Sequence, residues 1–194
     1  MSAIPQKQWT AEEYLAFERA SDEKHEFIDS YIYLMTGASR EHNLIVFNLA
    51  TALGIQLRGR TCEAYVNNMR VKMRGRDYAY PDLAIVCDLP EFEDAQVDTL
   101  LNPTLLIEVL SPSTEQYDRG QKFESYRTLN SLQEYVLIAQ DRPHIEHFAR
   151  KGEGAWLFSE VNGLDASLKL ASISCTLGLA DIFEKVAFGE NEDG

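Results

Sequence analysis

The chain has 194 residues, of which 45% are hydrophobic and 25% charged. These are ordinary globular proportions, enough for a sizeable core, and they predict one domain over 1–194 with a frayed acidic tail from about residue 188. The formal net charge of −13 counts against a protein that simply coats nucleic acid, since that mode depends on Lys and Arg neutralising phosphates.

A local basic surface is still compatible with that total. Arg58, Arg60, Arg70, Lys72, Arg74 and Arg76 lie close together in the sequence, and they read equally as a basic flank for a binding site, together with Arg119, or as the solvated face of a hairpin. Cys62, Cys87 and Cys175 are odd in number, far apart and in no CxxC pair, so neither a disulfide framework nor a thiolate zinc site is expected. A reducing cytoplasm fits. The opening MSAIPQKQWT has no apolar signal core, and the most apolar helical stretch, Leu44 to Leu57, carries Asn48, Thr51 and Gln56 and is too short to span a bilayer. No membrane partner is expected.

In chain order, Thr10 and Glu13 have capping-box spacing ahead of Tyr14, Leu15 and Phe17, which predicts a helix to about Ala20. EFIDSYIYLM then reads as a strand or hairpin turning near Asp29-Ser30. Ser39 opens a second helix, in which Ile45, Leu49, Leu53 and Leu57 recur every fourth position and Gly59 supplies the stop. EAYVNNMRVKM reads as two strands or one bent one. DLAIV, TLLIEVL and EYVLIA are strand-length apolar runs, as expected of strands covered on both faces, and they should form the sheet centre. Between the last two, Ser113 and Gln116 have capping-box spacing, and Asp118, Lys122 and Tyr126 fall four apart, which predicts a crossover helix. HIEHFAR, AWLFSEV and ASLKLAS read as further antiparallel strands, followed by a helix from Leu177 to Val186. The sum is an α/β domain with a mixed β-sheet flanked by helices.

Glu108 stands inside TLLIEVL, the most apolar of these strands, where an unpaired carboxylate would cost several kcal/mol. Alternate strand residues share a face, so Leu106, Glu108 and Leu110 point one way and the acid needs a cation or a donor on that side. Asp82, directly after Pro81, offers a second carboxylate at the mouth of a neighbouring buried strand. Two carboxylates meeting at strand ends bind hard cations such as Mg²⁺. Each acid also has a plainer reading, Asp82 as a turn residue and Glu108 as the structural partner of a Lys or Arg. His42, early in its helix, could face the cleft but reads better as a capping or surface residue, and Tyr126 as core packing.

Pro81-Asp82, Glu108-Val-Leu-Ser-Pro-Ser-Thr, Asp118-Arg with Lys122, and Glu134-Tyr135 together resemble the Uma-type endonuclease family, a bacterial domain of unknown function within the PD-(D/E)xK superfamily. The likeness runs from about Thr10 to Ala139. It implies a restriction-endonuclease-like core in which Asp82 and Glu108, helped by the Val109 carbonyl, hold Mg²⁺ or Mn²⁺ and a lysine assists the attacking water. The usual lysine position, two residues after Glu108, is Leu110 here, and Lys122 is the natural replacement. Its plainer reading is an exposed i,i+4 ion pair with Asp118. Glu26, in HEFID, resembles the family's early acidic residue and could supply another ligand, or be a solvated acid. The function so implied is hydrolysis of DNA phosphodiester bonds, with a homodimer as the plausible form for cutting two strands. The rival reading is a non-catalytic binding or regulatory module that keeps the nuclease fold.

Overall fold

The computed structural model describes residues 2–3, 7–152 and 154–188. After a short strand β1 (Ser2–Ala3), helix α1 (Ala11–Ala20) begins at the expected box: the Thr10 hydroxyl accepts the Glu13 N–H at 3.2 Å and the Glu13 carboxylate accepts the Thr10 N–H at 3.0 Å. Strands β2 (His25–Ile28) and β3 (Tyr31–Leu34) form the hairpin, with Asp29 and Ser30 at φ 50° and 70°. Both central residues are left-handed, the turn geometry whose twist matches that of the flanking strands. Helix α2 (Arg40–Leu57) starts at Ser39, whose hydroxyl accepts the His42 N–H, and buries Ile45, Leu49, Leu53 and Leu57.

EAYVNNMRVKM resolves into β4 (Glu63–Val66) and β5 (Arg70–Lys72), which join different sheets. Then follow β6 (Tyr78–Ala79), β7 (Leu83–Val86), β8 (Thr99–Leu100) and β9 (Leu105–Val109). The crossover is helical but irregular: α3 (Glu115–Tyr117), a π-helical turn over Asp118–Lys122, and α4 (Phe123–Tyr126). The Ser113–Gln116 box does not form, since Thr114 is the N-cap and makes no side-chain cap bond. The chain ends with β10 (Glu134–Ile138), β11 (His144–Arg150), β12 (Trp156–Asn162), β13 (Ser167–Leu170), β14 (Cys175–Gly178) and a four-residue helix α5 (Leu179–Ile182). The helix expected from Leu177 to Val186 is therefore corrected: its first part is strand. Leu177 pairs with Leu168 across the β13/β14 hairpin, a tertiary pairing that overrides local helical preference. The tail expected to fray lies, from 189 on, outside the described residues.

One six-stranded sheet has the order β1-β3-β2-β6-β5-β8, a second has β12-β11-β10-β9-β7-β4, and β13 and β14 pair as a separate two-stranded sheet. β9 and β10 are parallel, as the helical crossover requires. Alternation sorts their side chains cleanly. Leu83, Ile85, Leu105, Ile107 and Val109 face α2, whereas Ala84, Val86, Leu106 and Leu110 face the core holding Tyr126. Glu108, by the same period, belongs to the second face, while Asp82 lies just outside β7.

The cysteine expectation is also corrected. Cys62 and Cys87 form a disulfide, because the β4/β7 register, Glu63 opposite Val86, brings residues 25 apart in sequence side by side. Cys175 is free and buried. Among the described residues no helix is long and apolar enough to cross a membrane.

Glu134 anchors the C-terminal hairpin. Its carboxylate accepts the N–H groups of Ala171 (3.1 Å) and Ser172 (2.9 Å), the Ser172 hydroxyl, and His147 Nε2–H at 2.9 Å. Burial pushes this carboxyl up, but the bonds from His147 and Ser172 outweigh it and hold its pKa below the ordinary 4.5. A depressed carboxylate pKa stabilises the fold above pH 4.5, and that contribution is lost as pH falls through the lower native value. Glu134→Gln should therefore unfold at lower denaturant concentration at pH 7, by about 1.5–3 kcal/mol for the charged hydrogen bonds. The gap to the parent should narrow below pH 4, as read by urea melts at both pH values.

Candidate active site

The site forms where the chain leaves one sheet for the other. Tyr80-Pro81-Asp82 joins β6 to β7, and both ends of this link are held. The Tyr80 N–H donates to Glu26 Oε1 of β2 at 3.2 Å, and Asp82 Oδ2 accepts the Val109 N–H of β9 at 2.7 Å. Since Leu83 pairs with Ile107, Asp82 and Glu108 are the next opposed positions, at the end of neighbouring strands. Both line one cleft of about 510 Å³, with Glu26, Val109, Asp118 and Lys122 in its wall.

Lys122 comes from the π-helical turn above this strand end. Its ammonium lies 2.9 Å from Glu108 Oε1, 3.1 Å from Glu26 Oε1 and 3.4 Å from Asp118 Oδ1, with only 6% of the side chain exposed. The sequence's plainer reading, an exposed pair with Asp118 alone, is corrected: the pair exists, but it is buried among two further carboxylates. The extra residue in a π turn shifts the helix phase, and such turns recur at functional sites. Tyr135 helps fix the turn by donating its hydroxyl to the Asp118 carbonyl at 3.1 Å.

Three carboxylates around one ammonium leave the buried group with excess negative charge. Burial drives the Glu108 carboxyl well above its ordinary pKa; Lys122 pulls it back, while Asp118 and Asp82 push it further up. Glu26 is likewise raised, by burial first. For Lys122, burial works against the charged form, yet Glu108 and Glu26 outweigh it and keep the ammonium well above its ordinary pKa. Perturbation of this kind, in a cleft, marks candidate functional groups.

The superfamily likeness implies a divalent cation. The donor chemistry suits a hard ion, with carboxylate oxygens of Asp82 and Glu108 at one strand end and Val109 in the same cleft wall. Among the described residues no group of three or more His, Cys, Asp or Glu side chains is arranged to hold a metal. A cation there would take one or two protein carboxylates and complete its shell from backbone, water or substrate phosphate, which is the habit of Mg²⁺.

The chain belongs to the Uma2 family. That family, described as "Putative restriction endonuclease", matches residues 11–180. Two relatives in Synechocystis sp. (strain ATCC 27184 / PCC 6803 / Kazusa) are similar along most of their length. "Uncharacterized protein sll1609" is 39% identical over 84% of this chain and 92% of its own, and "Uncharacterized protein slr1290" is 35% identical over 96% and 97%. A crystal structure of "a putative nuclease belonging to DUF820" from Anabaena variabilis ATCC 29413 superposes with a TM-score of 0.71, at 19% identity, covering 90% of this chain and 97% of that one. This Uma2 member thus shares its fold with that structure.

Other sequence expectations fare variously. None of the six basic residues from Arg58 to Arg76 lines the cleft. Arg70 is buried, Lys72 pairs with Glu93, and Arg60 donates to the carbonyls of Ile173 and Ser174. Arg119 borders an adjoining cavity that shares Ser39, Ser111, Pro112 and Gln140 with the cleft, where Glu115 and Glu146 bind it. Tyr126 packs in the core as expected, its hydroxyl 3.4 Å from Glu108. His42 is half-buried: its backbone N–H takes part in the Ser39 cap, as expected, while its ring lines the cleft and meets Asp82. Sequence reasoning also passed over Lys24 and Tyr117 in the cleft wall; neither lies in a motif that would have marked it.

Proposed function

We propose that this cleft hydrolyses phosphodiester bonds in DNA with the aid of Mg²⁺ or Mn²⁺. The observation that carries the reading is Lys122, an ammonium buried against Glu108 and Glu26 at the strand end that also bears Asp82. A buried ion cluster is seldom worth more to stability than apolar packing of the same volume, so stability alone gives little reason to keep it. Membership in a family described as "Putative restriction endonuclease" supports the same reading. Asp82, Glu108 and the Val109 carbonyl are the groups that would hold the cation. Bound there, it would supply Lewis-acid stabilisation of charge on the phosphate. Lys122 orients the attacking water or meets the charge that develops as that water adds to phosphorus and the bond to a bridging oxygen breaks. Glu26 holds Lys122 in place.

The cleft wall carries Glu23, Glu26, Asp82, Glu108 and Asp118 against Lys24 and Lys122, which favours tight DNA binding only when a divalent cation is present. This acidic balance is also what favours the second reading, a binding module without turnover. A homodimer would supply the two sites that cutting a duplex needs. A DNA substrate suits a cytoplasmic protein, and a reducing compartment of that kind would open the Cys62–Cys87 disulfide. Incubation with supercoiled DNA, single-stranded DNA and RNA, each with Mg²⁺, Mn²⁺ or EDTA, separates the readings. Cation-dependent nicking of DNA is expected. Cleavage that persists in EDTA removes the metal, and DNA binding with no cleavage under any cation leaves the binding module.

A further inference from the structure

Asp82 stands outside its strand, and a carboxylate at such a position is free to rotate unless something grips it. One grip is the Val109 N–H. The other is His42, whose Nε2 lies 3.2 Å from both Asp82 oxygens, so the ring straddles the carboxylate. The histidine is itself fixed from behind: Ser39 Oγ accepts its backbone N–H at 3.0 Å and donates to Gln140 Oε1 at 2.6 Å. Only 14% of the His42 side chain is exposed. An ionised carboxylate accepts and cannot donate, so Nε2 carries the hydrogen. Nδ1 is left buried and without a partner. A buried unmet polar atom costs about 1–3 kcal/mol, a loss that packing for stability alone would not select.

We infer that His42 is a positioning residue for Asp82: its Nε2–H holds the carboxylate in the one orientation that presents an oxygen to a divalent cation. The inference rests on the metal-dependent reading above and adds a residue from a third element, the N-terminus of α2, to a site otherwise built from strands and the π turn. Partners that hydrogen-bond a metal's ligands fix their geometry, and losing one weakens metal affinity by roughly 10- to 100-fold.

The test is Mn²⁺ titration of the full chain without nucleic acid, by calorimetry, for the parent, His42→Leu and His42→Gln, with thermal melts of the metal-free proteins alongside. Leucine removes the donor and should weaken Mn²⁺ binding roughly 10- to 100-fold. Glutamine, whose amide N–H reaches about as far as Nε2–H, should restore most of it. Should His42→Leu melt too early to titrate, His42→Asn, with an amide too short to reach Asp82, takes its place against glutamine. A parent that binds Mn²⁺ and a leucine variant that binds it equally well overturn the positioning role alone, as does a glutamine variant no better than leucine. A parent that takes up no Mn²⁺ overturns the metal reading and this inference with it.

Discussion

Lys122→Met is expected to remove nuclease activity, by about 100- to 1,000-fold in kcat as for loss of one preorganised transition-state donor, while Mn²⁺ binding stays largely intact. The position where the family resemblance would usually place the lysine is Leu110, which is buried in the same core cluster as Leu106 and Tyr126 and does not line the cleft. Lys122 is the cation nearest Glu108 in its place, at 2.9 Å. The substitution leaves Glu26, Glu108 and Asp118 without their ammonium, and breaking a buried pair in this way costs about 3–5 kcal/mol when the survivors stay charged. Burial already raises the Glu26 carboxyl, so this acid, which is not among the groups that would hold the cation, would ease the loss by taking up a proton, and a cation bound at Glu108 would offset the missing ammonium there. Single-turnover cleavage at saturating Mg²⁺, beside calorimetric Mn²⁺ binding, reads both effects. A variant that cleaves as fast as the parent would end the catalytic role of Lys122.

Arg70→Met should be strongly destabilising, although Arg70 does not itself line the cleft. The Arg70 side chain is 2% exposed; Nε donates to Thr99 Oγ1 at 3.0 Å and Nη1 to the Tyr80 hydroxyl at 3.1 Å. Nη2 contacts Asp98 at 2.9 Å as an ion pair whose alignment falls short of a hydrogen bond. Methionine fills much of the volume but leaves the Tyr80 hydroxyl and Asp98 with fewer partners. Losing one member of such a buried network costs about 3–5 kcal/mol, or roughly 10 °C in melting temperature for a chain of this size. Asp98 keeps Arg19 at 2.8 Å, so a loss near the lower end is expected. Thermal melts decide it, and a shift of a degree or two would show Arg70 to be dispensable.

Arg70 also shows how sequence and tertiary structure divide the information. Its sequence neighbourhood reads as a basic surface, because charge is visible in a sequence and partners are not. Asp98 and Thr99, which cancel and bury it, lie 28 and 29 positions away, and only the parallel β5/β8 pairing brings them there. The disulfide was illegible for the same reason: Cys62 and Cys87 carry no spacing signal, and the β4/β7 register alone makes them neighbours. His42 reads as a cap because its local context, two residues into a helix after Ser39, is that of a cap; the contact with Asp82, 40 positions on, is tertiary.

Features that depend on near neighbours and periodicity were legible from the residues alone. The Thr10–Glu13 box, the Asp29-Ser30 turn, the α2 stripe and the buried strands DLAIV, TLLIEVL and EYVLIA follow from capping chemistry, backbone preferences and apolar runs that act over a few residues. The anomaly of Glu108 was legible too, since a carboxylate in an apolar strand demands compensation wherever the strand lies. Tertiary structure decided who compensates it. Lys122 does so from a helical turn that also carries its partner Asp118, while Glu26, which shares the ammonium, comes from a strand of the other sheet and His42, which meets Asp82, from a second helix; helical phase was also reset by the π turn over Asp118–Lys122, which no regular 3.6-residue period foretells.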